Sequence, residues 1–253
     1  MRTYSVELTV SGQVTISKPI SFQAEKELDL GNIFRSDIAI KQHPLGLRIS
    51  TTVYTANQDR AYKVALLFIG KMLDVLAIKL DTPLSVSNND SKVSADKNVV
   101  RAVVSEHEFR ECFALSRFLN LNETAFLRAL NWYRKGLYTE DPFDKFLALW
   151  NSISVVAGKY HTPNERTRQG IINQIWNCFE TLWGANTQRW ANINGDARWI
   201  NDNNEIRNNI AHGVIPVEIQ YIENVITRLE NVQRVANKFL IEWADRQLHR
   251  PLL

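Results

Sequence analysis

Cysteine is scarce in this chain, and so are residues arranged to bind metal ions. Cys112 and Cys178 are the two cysteines among 253 residues, and there are five histidines. The sequence has no CxxC pair, no HExxH motif and no cysteine–histidine cluster at zinc-ligand spacing. It therefore predicts neither a disulfide scaffold nor a metal site. Each cysteine is followed by a phenylalanine, in the runs Phe109–Phe113 and Trp176–Phe179, which favours small core residues over nucleophiles.

Long hydrophobic runs are also missing. The longest apolar stretch, residues 62–78, contains Lys63, Lys71 and Asp74. It falls short of the ~20 apolar residues that span a bilayer, so it is interpreted as a buried helix. The first residues, Met1 to Glu7, lack the apolar segment of a secretory signal. We therefore expect a cytoplasmic protein without a membrane partner.

A strong charge of either sign is absent, as are phosphate-binding loops. The net charge is +3, and no basic block is present that would favour a nucleic-acid duplex by charge alone. No GxxxxGK[ST] or GxGxxG sequence occurs, so nucleotide-dependent chemistry is not supported and no cofactor is expected. The chain is instead 45% hydrophobic and 10% aromatic, which is typical of a folded protein. Against ~150 residues per domain, its length indicates one large or two modest domains.

The first hundred residues show the alternation of a sheet. Tyr4, Val6, Leu8 and Val10 alternate with polar residues, and the pattern resumes at Val14 after residues 11–13, which predicts a hairpin. Further strands are predicted around residues 38–40, 45–53 and 99–104, with a helix from Gln58 to the proline at position 83 and a polar stretch over 85–98. Residues 1–105 are accordingly predicted to form an α+β domain of unknown role.

Helical spacing replaces this alternation beyond residue 106. Residues 106–253 are predicted to form an all-α bundle. Most aromatic residues there fall on apolar stripes and are assigned to the core, whereas Trp190 and Trp199 lie in an asparagine-rich stretch and are the two candidates for base stacking. The predicted helix signals are a cap at Asn122, a start at Asp141-Pro142 with an end at Gly158, a start at Thr162-Pro163 with an end at Gly184, and a long last helix opening at Pro216.

One segment, residues 203–213, combines charged and polar side chains in a pattern that can carry chemistry. Ile206 and Ile210 lie four apart and predict one helical face, and Gly213 predicts the end of the helix. His212 is then in the last turn. Residues five apart on a helix differ by about 140° around the axis and only ~7.5 Å along it, so Arg207 and His212 flank a common edge.

The run from Arg207 to His212 resembles the R-x4-6-H signature of the HEPN superfamily, including the polar residue Asn208 after the arginine. The setting is similar as well. In HEPN domains of bacterial defence and toxin proteins the signature lies near a helix end, followed by a loop and a long closing helix, and residues 107–250 show this order. The resemblance covers residues 107–250 and implies a HEPN-like helical bundle there. The expected fold is an α+β domain, predicted from the strand pattern, followed by this bundle.

The resemblance further implies a metal-independent endoribonuclease in which the RNA 2′-hydroxyl attacks the neighbouring phosphate. Arg207 would hold the phosphate and stabilise its charge, and His212 would act as general acid or base. Asn208 would orient the phosphate or the imidazole, with Glu205 and Asn209 as weaker supporting residues. HEPN nucleases typically pair, so we expect a homodimer with both copies of Arg207 and His212 in one cleft, RNA as substrate, and an antitoxin or regulatory protein as a possible partner in a toxin or antiviral defence setting.

Two alternatives remain open at this point. An arginine and a histidine near a helix end also fit a solvated guanidinium and a capping imidazole, since the helix dipole favours cations there by ~0.3–1 kcal/mol. The second alternative is a HEPN domain that has lost catalysis, with a bundle that dimerises and an N-terminal domain that senses a ligand or binds a partner, although both signature residues are retained here.

Overall fold

The computed structural model describes residues 1–27, 33–87, 100–213 and 218–252. The chain forms two compact units, Met1–Leu127 and Arg128–Leu253. The first contains an antiparallel sheet with two helices, and the second is helical. None of the helices in these described ranges is long and apolar enough to cross a membrane.

The sheet of the first unit has five strands in the order β3-β4-β5-β1-β6, and all neighbours are antiparallel. A separate parallel pair joins β2 to β7. The strands are β1 Arg2–Gly12, β2 Val14–Thr15, β3 Ile20–Glu27, β4 Ile33–His43, β5 Gly46–Thr55, β6 Leu84–Ser87 and β7 Ala102–Val103.

The hairpin predicted between residues 4–10 and 14–16 is wrong. β1 pairs instead with β5, where Val6 lies opposite Thr51, and with β6. The chain leaves the large sheet at Gly12, whose N–H donates to the carbonyl oxygen of Leu45 at 2.9 Å. The alternation over residues 4–10 correctly predicts a strand. It identifies the buried face of that strand, however, and not the strand that pairs with it. Of the predicted polar stretch over 85–98, residues 85–87 belong to β6 and the rest lies outside the described residues.

Helix α1, Gln58–Leu80, confirms the prediction of a buried helix. Asn57 caps its start by accepting a hydrogen bond from the N–H of Arg60 at 2.8 Å, and Asp81 ends it in a left-handed conformation two residues before Pro83. The helix packs on the apolar face of the sheet. The strand residues buried there are Leu8, Val10, Ile38, Ile40, Leu47, Ile49 and Val53.

Helix α2, Glu106–Asn122, lies within the first unit, although the predicted domain boundary at 105/106 assigns it to the helical domain. Its Phe113 ring packs on Phe22 of β3 and on Phe68 of α1, with ring centroids 5.8 and 5.0 Å apart. These contacts explain why α2 groups with the sheet. Ser105 and Glu108 form a capping box at its start.

The second unit is built from helices, and the sequence predicted some of their starts correctly and others wrongly. Asp141 caps α4 as predicted, accepting hydrogen bonds from the N–H groups of Phe143 and Asp144 at 2.9 Å. Asn122 does not cap the start of a helix, because it is the last residue of α2. The other helices are α3 Thr124–Tyr138, in which the chain passes from the first unit to the second after Leu127, α4 Pro142–Tyr160, α5 Ile171–Trp183, α6 Trp199–Ala211 and α7 Ile219–Arg246.

The predicted helix start at Thr162-Pro163 is also wrong, since α5 begins nine residues after Thr162, at Ile171. Asn164 and Thr167 instead close a turn by exchanging hydrogen bonds of 2.8 and 2.9 Å between backbone N–H groups and side-chain oxygens. Side chains that bond the local backbone compete with helix formation, which accounts for the delayed start. The predicted end of α5 at Gly184 is confirmed.

An aromatic cluster fills the core of the second unit. Phe179 of α5 lies within 6.1 Å, centroid to centroid, of Trp190 and Trp199 and 5.0 Å from Phe239. Trp190 and Trp199 are 1% and 5% exposed. The two proposed stacking candidates are therefore core residues, and Trp199 also anchors α6 through a hydrogen bond of 2.5 Å from its Nε1 to Oδ1 of Asn231.

Candidate functional site at the end of helix α6

Helix α6 carries the predicted motif, and its two halves differ in burial. Trp199, Ile200, Asn203 and Asn204 are buried in the first half, whereas residues 206–210 are half-buried and Ala211 onward is exposed. The motif therefore lies on the half of α6 that emerges from the core. The predicted helix end is confirmed: His212 is the C-cap, and Gly213 follows with φ of +64°, a conformation that favours glycine.

Arg207 is half-buried and is held by its neighbour. Its Nη1 donates a hydrogen bond to Oδ1 of Asn208 at 3.0 Å. No ion pair of Arg207 with an acidic side chain occurs among the described residues. The guanidinium charge is thus not neutralised within this part of the chain, and its further N–H donors are available for an anion.

His212 is exposed at the end of the same helix. Its backbone N–H donates to the carbonyl oxygen of Asn208 at 2.9 Å, which fixes the main chain of the last turn. Within the described ranges its imidazole makes no hydrogen bond or ion pair. An imidazole fixed only through its backbone is free to meet a substrate or a second subunit.

The other predicted residues are placed less closely. Asn208 contacts the guanidinium of Arg207 and not the imidazole of His212, so of its two predicted orienting roles only a phosphate-directed one is compatible with this bond. Glu205 is exposed and Asn209 is half-buried. Neither bonds to Arg207 or His212 within the described residues.

Asn208 also belongs to a groove of about 430 Å³ that the sequence analysis did not anticipate. One side of the groove is the face of α6 that carries Asn201, Asn204 and Asn208, and the other is the start of α5 with the turn before it. From the second side come Arg166, Gln169, Gly170, Ile171, Ile172, Asn173 and Trp176.

The groove is rich in carboxamides. Five of its ten lining residues are asparagine or glutamine, and none of these described lining residues is acidic. Asn204 is 6% exposed, and its Oδ1 is buried without a hydrogen-bond partner. A buried polar atom left unpaired costs ~1–3 kcal/mol, so this oxygen is a site where a ligand donor would gain energy. Carboxamides pair with the edges of nucleobases, which present the same donor and acceptor types.

Arg166 and Trp176 form the charged and aromatic part of the groove. The Arg166 guanidinium lies 5.8 Å from the Trp176 ring centroid and donates from Nη1 to both carboxylate oxygens of Glu180 at 2.9 and 3.2 Å. Gly170, with φ of +121°, precedes α5 and offers no side-chain cap. The start of α5, with its partial positive charge, therefore adjoins the groove.

The groove residues could have been found from one sequence signal. Asn201, Asn204 and Asn208 are spaced by three and four, which places their amides on one face of a helix. Arg166 and Asn173 carried no such signal, because their position opposite this face depends on the packing of α5 against α6.

Other reactive groups in the described part of the chain are poor candidates. Cys112 and Cys178 are buried free thiols, as predicted, and burial raises the pKa of each to about 12. The described residues contain no group of three or more histidine, cysteine, aspartate or glutamate side chains able to hold a metal ion. Comparison with known proteins adds no assignment, since no family model, curated protein or solved structure matches the chain.

Proposed function

We propose that this protein is a metal-independent endoribonuclease whose site is formed by Arg207 and His212. The observation that carries the proposal is the state of these two side chains at one helix end. His212 is exposed and unbonded among the described residues, and Arg207 is bonded only to Asn208. Both groups are thus available, whereas an internal ion pair would have removed them.

The proposed reaction uses a base, an acid and a cation. A base takes the proton of the RNA 2′-hydroxyl, whose oxygen attacks the adjacent phosphorus. The bond from phosphorus to the 5′-oxygen breaks, and that oxygen takes a proton from an acid. The products are a 2′,3′-cyclic phosphate and a 5′-hydroxyl. Arg207 stabilises the charge that develops on the phosphate, and imidazole serves as base or acid.

One imidazole cannot serve readily as acid and base in the same step. We therefore propose a homodimer in which each subunit supplies Arg207 and His212 to one cleft. The carboxamide groove supports an RNA substrate, because Asn208 belongs both to the groove and to the contact with Arg207. A base bound in the groove would place its neighbouring phosphate towards the guanidinium. Such an activity fits a toxin or antiviral defence protein that an antitoxin or other regulatory partner restrains.

Cleavage of labelled RNA by the full chain in EDTA tests the proposal. Arg207→Ala and His212→Ala are expected to lower the rate by about 10²-fold or more, because each removes a group that acts on the transition state. Matched controls are Arg198→Ala, an exposed arginine that pairs with Asp202 at the other end of α6, and His107→Ala, an exposed histidine of α2. Both controls should retain activity and a cyclic-phosphate product.

The dimer has its own measurement. If the site is composite, the rate per chain should fall when the protein is diluted below the dissociation constant of the dimer. Sedimentation should show the average mass falling from that of a dimer to that of a monomer over the same concentration range. An undiminished rate per chain from a monomer would exclude a shared site. RNA that remains intact with every preparation would contradict the nuclease proposal.

The second candidate function is a binding module without catalysis. The net charge of +3 favours it, because such a surface does not require a polyanion as partner. In this case the bundle dimerises while the N-terminal unit binds a ligand or protein. RNA neither retained nor cut by a full chain that still dimerises would favour this function over the first.

A further inference from the structure

Among the residues that the structure describes, the first unit buries one lysine, Lys26, without a carboxylate partner. Lys26 of β3 is 5% exposed, and its Nζ donates a hydrogen bond to the carbonyl oxygen of Thr52 at 2.8 Å. The same nitrogen lies 5.3 Å from the ring centroid of Phe34 and 5.1 Å from that of Phe68. No acidic group pairs with it among the described residues. Lysine is almost never this buried unless paired.

The burial of Lys26 has a cost that its contacts only partly offset. Desolvation lowers the pKa of its ammonium group to about 8. At neutral pH the group therefore remains largely charged while having lost most of its water. One carbonyl and two aromatic faces supply partial negative charge, but none of them carries a full one. Buried ionisable groups with shifted pKa values that face cavities are candidates for functional sites.

A cavity of about 220 Å³ adjoins Lys26, and positive side chains predominate around it. Lys26, Lys71 of α1 and Arg117 of α2 contribute cations, and Glu25 is the one acidic residue among the described lining residues. Glu25 already pairs with Arg117, whose Nη1 lies 3.2 Å from its Oε2, and its Oε1 lies 3.9 Å from Nε of Arg35. The cavity wall therefore favours an anion.

The remaining wall is largely apolar. Val64, Leu67 and Phe68 of α1 line it, and Leu67 is 63% exposed at its rim. An inorganic anion would leave this apolar surface unused. The volume is below the ~300–1,000 Å³ of sites for drug-sized ligands, which argues against a nucleotide.

We propose that this cavity binds a small organic anion, with a carboxylate that pairs with Lys26 and an apolar body that lies against Leu67 and Phe68. The site is independent of the proposed nuclease residues and gives the first unit a ligand-binding role of its own. The ligand would supply the full negative charge that the buried ammonium lacks. Its apolar body would cover the exposed side chain of Leu67.

Benzoate is the probe for this site, with benzamide as its neutral counterpart and inorganic phosphate as an anion without an apolar body. Binding to the full chain is measured by calorimetry and ligand-observed nuclear magnetic resonance at pH 7. We expect benzoate to bind at least tenfold more tightly than benzamide or phosphate. Equal binding of benzoate and benzamide, tighter binding of phosphate, or no benzoate binding at millimolar concentrations would overturn the proposal.

Two pairs of variants locate the binding. Lys26→Met keeps the unbranched shape of the side chain, one atom shorter, and removes its charge, and it should weaken benzoate binding at least tenfold. Lys63→Met is the control on the exposed side of α1, where Lys63 pairs with Asp59, and it should bind as the parent does. Unchanged binding by Lys26→Met would overturn the assignment.

The second pair does not disturb the interior. Leu67→Glu introduces a carboxylate at the exposed rim that competes with the ligand for the cations, and it should lower the affinity at least tenfold. Leu67→Gln introduces a side chain of the same shape as glutamate but without its charge. Its effect on the benzoate affinity should be several times smaller than that of Leu67→Glu. Equal effects of the two substitutions would show that charge does not govern binding and would contradict the proposal, even if Lys26→Met failed to fold.

Discussion

The cavity at Lys26 and the groove at Asn204 both hold buried polar groups with unfilled bonding capacity, but they do so with opposite chemistry. In the first unit an ammonium group has no carboxylate partner among the described residues, and three cations line a small cavity beside apolar side chains. In the second, five carboxamides line a groove about twice as large, and the unpaired atom is a neutral oxygen.

This difference determines what each site can select. A buried charge discriminates chiefly by the sign of the ligand charge, because the desolvated ion gains most from an opposite charge. A set of amides discriminates by the pattern of donors and acceptors, because each unmatched hydrogen bond leaves a desolvated group. The first site should therefore depend on pH, and the second should depend on shape and be insensitive to pH near neutrality.

The largest effect on stability is expected from Lys26→Met. The pKa of Lys26 is about 8 in the folded protein against an ordinary value of 10.5. Between these values the unfolded chain binds more protons, so the lysine becomes less destabilising as pH rises through this range. Below pH 8 its cost reaches about 3 kcal/mol, at ~1.4 kcal/mol per pKa unit. Methionine should remove this cost while preserving the packing between Phe34 and Phe68.

Urea unfolding followed by circular dichroism at pH 7 and pH 10 measures this effect. The free energy of unfolding of Lys26→Met should exceed that of the parent by up to about 3 kcal/mol at pH 7, and the gain should shrink towards zero at pH 10. Thr52 keeps a hydrogen bond from Ser36 in the variant, so its carbonyl is not left unpaired. Glu25, Lys71 and Arg117 also face the cavity. A gain independent of pH would exclude ammonium desolvation as the cause.

A smaller effect is expected from Asn204→Leu. Leucine has a similar size and removes a carboxamide oxygen that is buried without a partner, so the variant should gain about 1 kcal/mol of stability without pH dependence. If the groove binds RNA bases, the same change should weaken RNA binding about tenfold. Tryptophan fluorescence is a suitable probe for the unfolding of the second unit, because all seven tryptophans lie in it.

The control for this substitution is Asn201→Leu, at an exposed position on the same face of α6. It should leave the stability within about 0.5 kcal/mol of the parent value, as surface substitutions usually do. If Asn204→Leu destabilises the protein by more than Asn201→Leu, its carboxamide has a bonding partner in solution, and the comparison between the two sites fails.

Sequence reasoning predicted local features better than pairings. The cap at Asp141, the start of α1 and the end of α6 at His212 and Gly213 depend on residues adjacent in the chain, and the sequence predicted each of them. The partner of β1 and the start of α5 depend on residues far apart or on side chains that bond the turn. Alternation and spacing carry no information on either.

The same distinction between local and tertiary features applies to the candidate residues of the two units. Arg207 and His212 could be predicted as candidate residues from the sequence, because a spacing of five positions on one helix fixes their separation. Lys26 could have been recognised from its strand, since Ile20, Phe22 and Ala24 alternate towards the core and place position 26 on the same face. A lysine at an inward position is a local signal. Two further features required the tertiary structure: no carboxylate in the described part of the chain pairs with Lys26, and Lys71 and Arg117 line the same cavity.

The smallest effect is expected from Arg166→Gln. Arg166 is 48% exposed in its side chain, and its pair with Glu180 is of the surface type, worth ~0.2–1 kcal/mol. Glutamine should therefore lower the stability of the second unit by less than about 1 kcal/mol, and this loss should diminish at 0.5 M NaCl because salt screens the parent pair. RNA binding should weaken more than stability if the guanidinium contacts phosphate. If stability falls and RNA binding does not, the guanidinium of Arg166 does not contact the RNA. The carboxamides would then recognise the ligand without a charged group, in contrast to the charged cavity of the first unit.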